Sequence, residues 1–156
     1  MSARAFQDDI PDNLCWGCGP GNEHGLHVRS FWHDDEAVCD WTPSPHHMAG
    51  PRAILNGGVI ATVIDCHTVC TAIADAYRRE GRPIGSEPHI WYATASLAVR
   101  YLAAVPIDRP VRLRATIEKV EGRKTRLTCN LESDGRECAT AEVLAVRVPA
   151  EWRHGS

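Results

Sequence analysis

Lysine is nearly absent from this chain. Only Lys119 and Lys124 carry it, so arginine supplies almost all the positive charge. Guanidinium forks suit phosphate and carboxylate recognition. A basic excess is missing too: 17 Lys plus Arg face 20 Asp plus Glu, for a net charge of −3. That argues against a general nucleic-acid binder, which carries a basic surplus. The opening residues, MSARAFQDDI, lack the apolar stretch of a signal peptide. Repeats and low-complexity tracts are absent. The seven cysteines are an odd number and are scattered. Together these point to a reducing cytoplasm and free thiols. The run from Gly58 to Ala74 is short for a membrane span and carries Asp65, so no membrane partner is expected. At 156 residues the chain suits one domain that buries a core without disulfides or metal.

Residues 1–25 are rich in Gly, Pro, Asp and Asn and read as a tail and loop. A domain over 26–150 follows, with 151–156 as a tail. Residues 26–33, LHVRSFWH, alternate as a strand. Residues 37–42, AVCDWT, read as its hairpin partner across Asp34-Asp35. Next comes PSPHHMAGPRAILNGG, a loop of the length that usually carries function. A helix starts near Gly58 and stops before Gly81-Arg82-Pro83. It is apolar nearly all round until Asp75, so it belongs at the centre of the molecule. Residues 92–104, 110–121, 124–133 and 136–148 have the texture of four long strands in an antiparallel meander. Glu121-Gly122 and Asp134-Gly135 read as tight turns. One long helix wrapped by one curved antiparallel sheet is an α+β architecture, the hotdog arrangement.

Asp65 is the anomaly. A carboxylate among Val, Ile, Ala and Cys is costly to bury and has its pKa raised, which favours a site over a structural role. Asn56-Gly57-Gly58 opens the same helix. Asn caps well, and free amides at a helix start can hold an anion or a developing oxyanion. Gly57 and Asp65 are about 12 Å apart along the axis at about 1.5 Å per residue, too far to act on one carbon. The spacing suggests a site shared across a symmetric dimer. His67 points away from Asp65 and reads as a core or interface residue. His46 and His47, in the long loop, can reach the site. Cys15-Trp-Gly-Cys18 followed by His24 and His27 offers four zinc-type ligands. The gap is short and HxxH is tight, so the CxxC reads as a turn, and no metal or other cofactor is expected.

These motifs resemble the acyl-CoA thioesterases of the hotdog fold, in the phenylacetate-pathway (PaaI-like) group. CWGCGPGNEHGL at 15–26, NGGVIATVID at 56–65 and TASLAVRYLAA at 94–104 carry the resemblance, which spans about Cys15 to Val148. It implies Asp65 as general base or nucleophile. The Gly57 amide, helped by Gly58, would polarise the thioester carbonyl, and Thr94 would orient the carboxylate or water. It also implies an acyl-CoA substrate and a homodimer or dimer of dimers. The family's usual His before Gly-Gly is Asn56 here, which can donate a hydrogen bond but cannot act as an acid. His47 is a candidate substrate contact, and Arg100, Arg123 and Arg126 are candidates for the CoA phosphates. A hotdog hydratase or dehydratase, with His47 beside Asp65, a non-catalytic acyl-CoA binder and a zinc-binding interaction module are the alternatives.

Overall fold

A computed structural model describes residues 3–155. The order of elements is α1 (Phe6–Asp9), β1 (Phe31–His33), β2 (Glu36–Trp41), α2 (Gly57–Arg79), β3 (Trp91–Tyr101), β4 (Val111–Glu121), β5 (Lys124–Ser133) and β6 (Arg136–Val148). The strands form one antiparallel sheet in the order β1-β2-β4-β5-β6-β3. Helix α2 packs along one face, and the fold is the hotdog arrangement. Val63, Ile64, Ile73 and Tyr77 of the helix meet Leu113, Leu127, Leu131 and Val143 of the sheet in one core. Asn56 caps the helix start, and Gly81, at φ 68°, takes the left-handed conformation just beyond its end. At 23 residues α2 is long and apolar enough to cross a membrane. Its length therefore does not exclude a span; its burial under the sheet marks it as a core helix.

The four later strands are not a simple meander. β4, β5 and β6 follow one another through tight turns, with Gly122 at φ 58° and Asp134 and Gly135 at φ 56° and 74°. β3 instead pairs with β6 at the far edge, and β4 with β2. The segment after Tyr101, through Val105-Pro106, is too long for a hairpin turn and crosses to the other side of the sheet.

The alternation over 26–30 is real, since Leu26, Val28 and Ser30 are buried, but it makes no strand. Its backbone bonds run to the N-terminal loop instead. Leu26 N–H donates to Trp16 O at 2.8 Å, Val28 N–H to Gly17 O at 3.1 Å, and Phe6 N–H to Ser30 O at 2.9 Å. The loop is accordingly less free than its composition suggests: Ala5, Phe6, Gln7 and Ile10 are buried around the single turn of α1.

β3 contains a bulge. Its register against β6 shifts between Thr94 and Ser96. Before the shift Tyr92 and Thr94 face the helix; after it Leu97, Val99 and Tyr101 do, opposite the inward residues Val143, Ala141 and Ala139. One extra residue thus moves the inward positions from even to odd numbers.

Candidate active site

Asp65 lies midway along α2, half-buried, on the side that faces β3. Thr94 Oγ1 donates to its Oδ1 at 2.6 Å. Burial raises the Asp65 carboxyl above the usual carboxylate range; the Thr94 hydrogen bond opposes this, and the Cys18 sulfur adds to it. The pair borders a cavity of about 190 Å³ whose walls include Cys15, Cys66, Val69, Trp91 and Tyr92. A carboxylate held by one hydroxyl in a mostly apolar hollow can take a proton from a water and leave a second oxygen free to orient it.

The helix start is arranged differently from the sequence expectation. Asn56 Oδ1 accepts from Gly58 N–H at 2.7 Å and from Val59 N–H at 3.2 Å. The Gly58 amide is therefore engaged by the cap and does not assist Gly57 in this arrangement. Gly57 is the first helical residue, a position whose amide has no partner within a helix. Tyr101 stacks over it: Tyr101 Oη donates to Gly57 O at 2.7 Å. A Cβ placed on Gly57 would meet that ring at 3.5 Å, an ordinary contact, so the Tyr101 ring by itself does not require glycine there. Tyr101 was missed in the sequence; its signal is an aromatic at the end of a strand whose inward positions the bulge has reset. Gly57 and Tyr101 border a separate hollow of about 300 Å³ with Ile60 and Leu102.

His47 and Asn56 share a third hollow, of about 390 Å³, with Trp16, His24, His46 and Met48. His47 Nδ1 accepts from Ser44 N–H at 2.9 Å. Burial and then the neighbouring His46 lower its pKa. It does not line the Asp65 cavity in this chain. His67 is a core residue. Ser30 Oγ is 2.7 Å from its Nδ1, Ala37 O is 3.1 Å from its Nε2, and burial lowers its pKa to about 4.

The three arginines stand apart from Asp65. Arg100 and Arg126 occupy outward positions of β3 and β5, on the face away from α2, and Arg123 is at the β4–β5 turn. Arg100 borders a hollow of about 630 Å³ on that outer face with Arg114 and Glu36. Cys15–Cys18 forms a turn, as expected, and the alternative set of Cys15, Cys18, His24 and His27 does not assemble. His27 Nε2 is 2.6 Å from Asn22 O and His24 is exposed, so neither joins Cys15 and Cys18. The nearby sulfurs are those of Cys66 and Cys70 on α2. Hydrogen bonds from Cys15, Cys66 and Cys70 hold the Cys18 thiol well below its ordinary range, and those of Cys66 and Cys70 rise in turn.

The family profile described as the thioesterase superfamily matches residues 53–140, from the loop before α2 into β6. The chain belongs to the thioesterase superfamily. The match takes in Asn56, Gly57, Asp65, Thr94 and Tyr101. Among related sequences, acyl-coenzyme A thioesterase THEM4 of Xenopus laevis is 31% identical over 109 residues, 70% of this chain and 43% of that protein. Its counterpart in Mus musculus is 27% identical over 100 residues, 64% of this chain and 37% of that protein. The chain thus spans less than half the length of these curated relatives. Among solved structures, a thioesterase superfamily protein from Shewanella loihica superposes with a TM-score of 0.64 at 27% identity, covering 82% of this chain and 96% of that one. The PaaI protein of E. coli, at 10% identity and a TM-score of 0.64 over 80% of this chain and 81% of that one, shares the fold.

Proposed function

We propose that this superfamily member hydrolyses acyl-CoA thioesters to free acid and CoA. The observation that carries the reading is the Thr94–Asp65 pair, 2.6 Å apart, on a central helix beside a largely apolar hollow. Asp65 takes a proton from water as the water attacks the thioester carbon. The Gly57 amide stabilises the oxyanion, and the tetrahedral intermediate collapses to expel the CoA thiolate. The relatives named acyl-coenzyme A thioesterase support this choice of substrate.

The acting unit is a homodimer joined at β3, which is a sheet edge with exposed residues from Thr94 to Leu102. Such an edge offers unpaired backbone groups to a second strand. In each chain Thr94 touches Asp65 and Tyr101 touches Gly57. A two-fold axis beside Leu97 and Ala98 sets Thr94 of one chain opposite Tyr101 of the other. Asp65 then faces the second chain's Gly57, and the separation along one helix is resolved. The cytoplasm is the proposed compartment, in keeping with seven free thiols.

Asp65→Asn is the direct test, read as turnover over short, long and aryl acyl-CoAs. A folded variant should lose at least ~10²-fold in rate, the usual worth of a general base. Parent-like hydrolysis by the variant would remove Asp65 from the mechanism. A parent chain that binds a non-hydrolysable CoA analogue yet turns over no thioester would make the protein a binder.

A further inference from the structure

Three of the seven cysteines, Cys15, Cys18 and Cys66, converge beside Asp65, and a fourth, Cys70, touches Cys18. Cys15 and Cys18 end the Cys-Trp-Gly-Cys turn of the N-terminal loop. Cys66 and Cys70 are one turn apart on the same face of α2. The sulfurs of Cys15 and Cys66 are 3.7 Å apart, as are those of Cys18 and Cys70. The sulfurs of Cys15, Cys18 and Cys66 all lie within 4.8 Å of one another. A tetrahedral zinc ion with Zn–S bonds of about 2.3 Å holds its sulfurs about 3.8 Å apart. The Cys15–Cys18–Cys66 triad therefore has nearly the required size, and Cys70, outside the triad but 3.7 Å from Cys18, would reach the ion by a turn of its side chain.

The loop is shaped to bring the thiols there. A Cβ on Gly17 would run into Cys66 Sγ, so only glycine lets the turn approach α2 this closely. A Cβ on Gly19 would meet Asn13 O at 2.6 Å. Gly19 N–H donates to Cys15 O at 2.7 Å and closes the turn. Asn13 Nδ2 donates to Cys18 Sγ at 3.7 Å, the kind of outer contact that orients a thiolate ligand. Ordinary apolar packing of four small side chains explains this less well. Cys15 is exposed, and its neighbours Leu14 and Trp16 are 67% and 48% exposed, so the turn has few apolar anchors of its own.

We propose that Cys15, Cys18 and Cys66 hold one zinc ion, with Cys70 turning in from α2 as the fourth thiolate, and that the ion pins the N-terminal loop to α2 beside Asp65. Binding replaces the four thiol protons, which pass to solvent, and involves no electron transfer. With all four positions filled by sulfur, the ion has no open position for a substrate or water, so its role is structural. It holds the Cys15–Cys18 wall of the cavity that Asp65 borders. The site stands whether or not the protein hydrolyses thioesters.

The test is metal analysis of the full chain, purified under reducing conditions and passed through EDTA and gel filtration. One zinc per chain is expected. Zinc-free protein titrated with cobalt should show thiolate-to-cobalt charge transfer and the visible bands of a tetrahedral four-sulfur site. Cys66→Ser and Cys70→Ser should each lose stoichiometric zinc, whereas Cys138→Ser, on β6, should keep it. If the serine variants fail to fold, the cobalt spectrum of the parent decides. Parent protein without zinc overturns the site, whether its four thiols are free to a thiol reagent or joined in disulfides. A cobalt spectrum dominated by nitrogen or oxygen ligands overturns it as well.

Discussion

Thr94 Oγ1 engages one carboxylate oxygen of Asp65, and the proposed mechanism assigns the other to a water. Thr94→Ala should lower kcat by about 10-fold or more with little change in KM, since it removes orientation rather than substrate binding. Thr94→Ser keeps the hydroxyl and should restore most of the rate. Equal kcat for all three chains would mean that the 2.6 Å contact is without consequence. Asn56 calls for a different experiment, because it has two ends. Its oxygen caps α2, and its amide nitrogen is the candidate donor to substrate. Asn56→Ala should cost about 1 kcal/mol of stability through the lost cap. Asn56→Asp keeps an acceptor for the cap but has no donor. If the amide binds substrate, the Asp variant stays stable and loses turnover; if both properties are retained, residue 56 acts only as a cap.

At the scale of elements, α2 is tied to the sheet and the N-terminus by a polar chain inside an apolar core. Gln7 Nε2 donates to Ser30 Oγ at 2.9 Å, and Ser30 Oγ in turn meets His67 Nδ1. His67 Nε2 reaches Ala37 O on β2. Three separate segments are thereby held in register around a neutral imidazole. His67→Leu takes the imidazole from Ser30 Oγ, which keeps Gln7, and from Ala37 O. It should destabilise the fold by about 1–3 kcal/mol, seen as a lower urea midpoint with an unchanged m-value. An unchanged midpoint would show that the chain is dispensable. The core role of His67 was legible from its angle around the helix relative to Asp65. Gln7 and Ser30 were not, because nothing in the local pattern links residues so distant in sequence.

For the whole molecule, the shared-site arrangement makes a prediction that one chain alone cannot satisfy. Gly57→Pro removes the amide that would meet the oxyanion, and proline at the first helical position is tolerated by helices. Asp65→Asn removes the base. Each variant alone should be nearly inactive. Co-expressed and isolated as mixed dimers, they contain one site with both groups intact and should recover part of the parent activity. A fully active monomer would rule out the shared site, and folded mixed dimers without turnover would count against it.

Much of this protein follows from the sequence alone. The apolar run ended by Gly81-Arg82-Pro83 required a buried helix, and period-two alternation with Gly turns required long strands after it. Asp65 was visible because a lone charge in such a run is costly without a purpose. What tertiary structure decided was which distant residues meet. The bulge between Thr94 and Ser96 turned Tyr101 onto Gly57 and sent Arg100 to the outer face, whereas strict alternation from Thr94 would give the reverse. Cys15 and Cys18 were read with the histidines next in the chain, but their neighbours in space are thiols more than fifty residues away on α2. Periodicity reports which face of its own element a residue occupies. It carries no information on what another element brings to that face, and the site depends on that meeting.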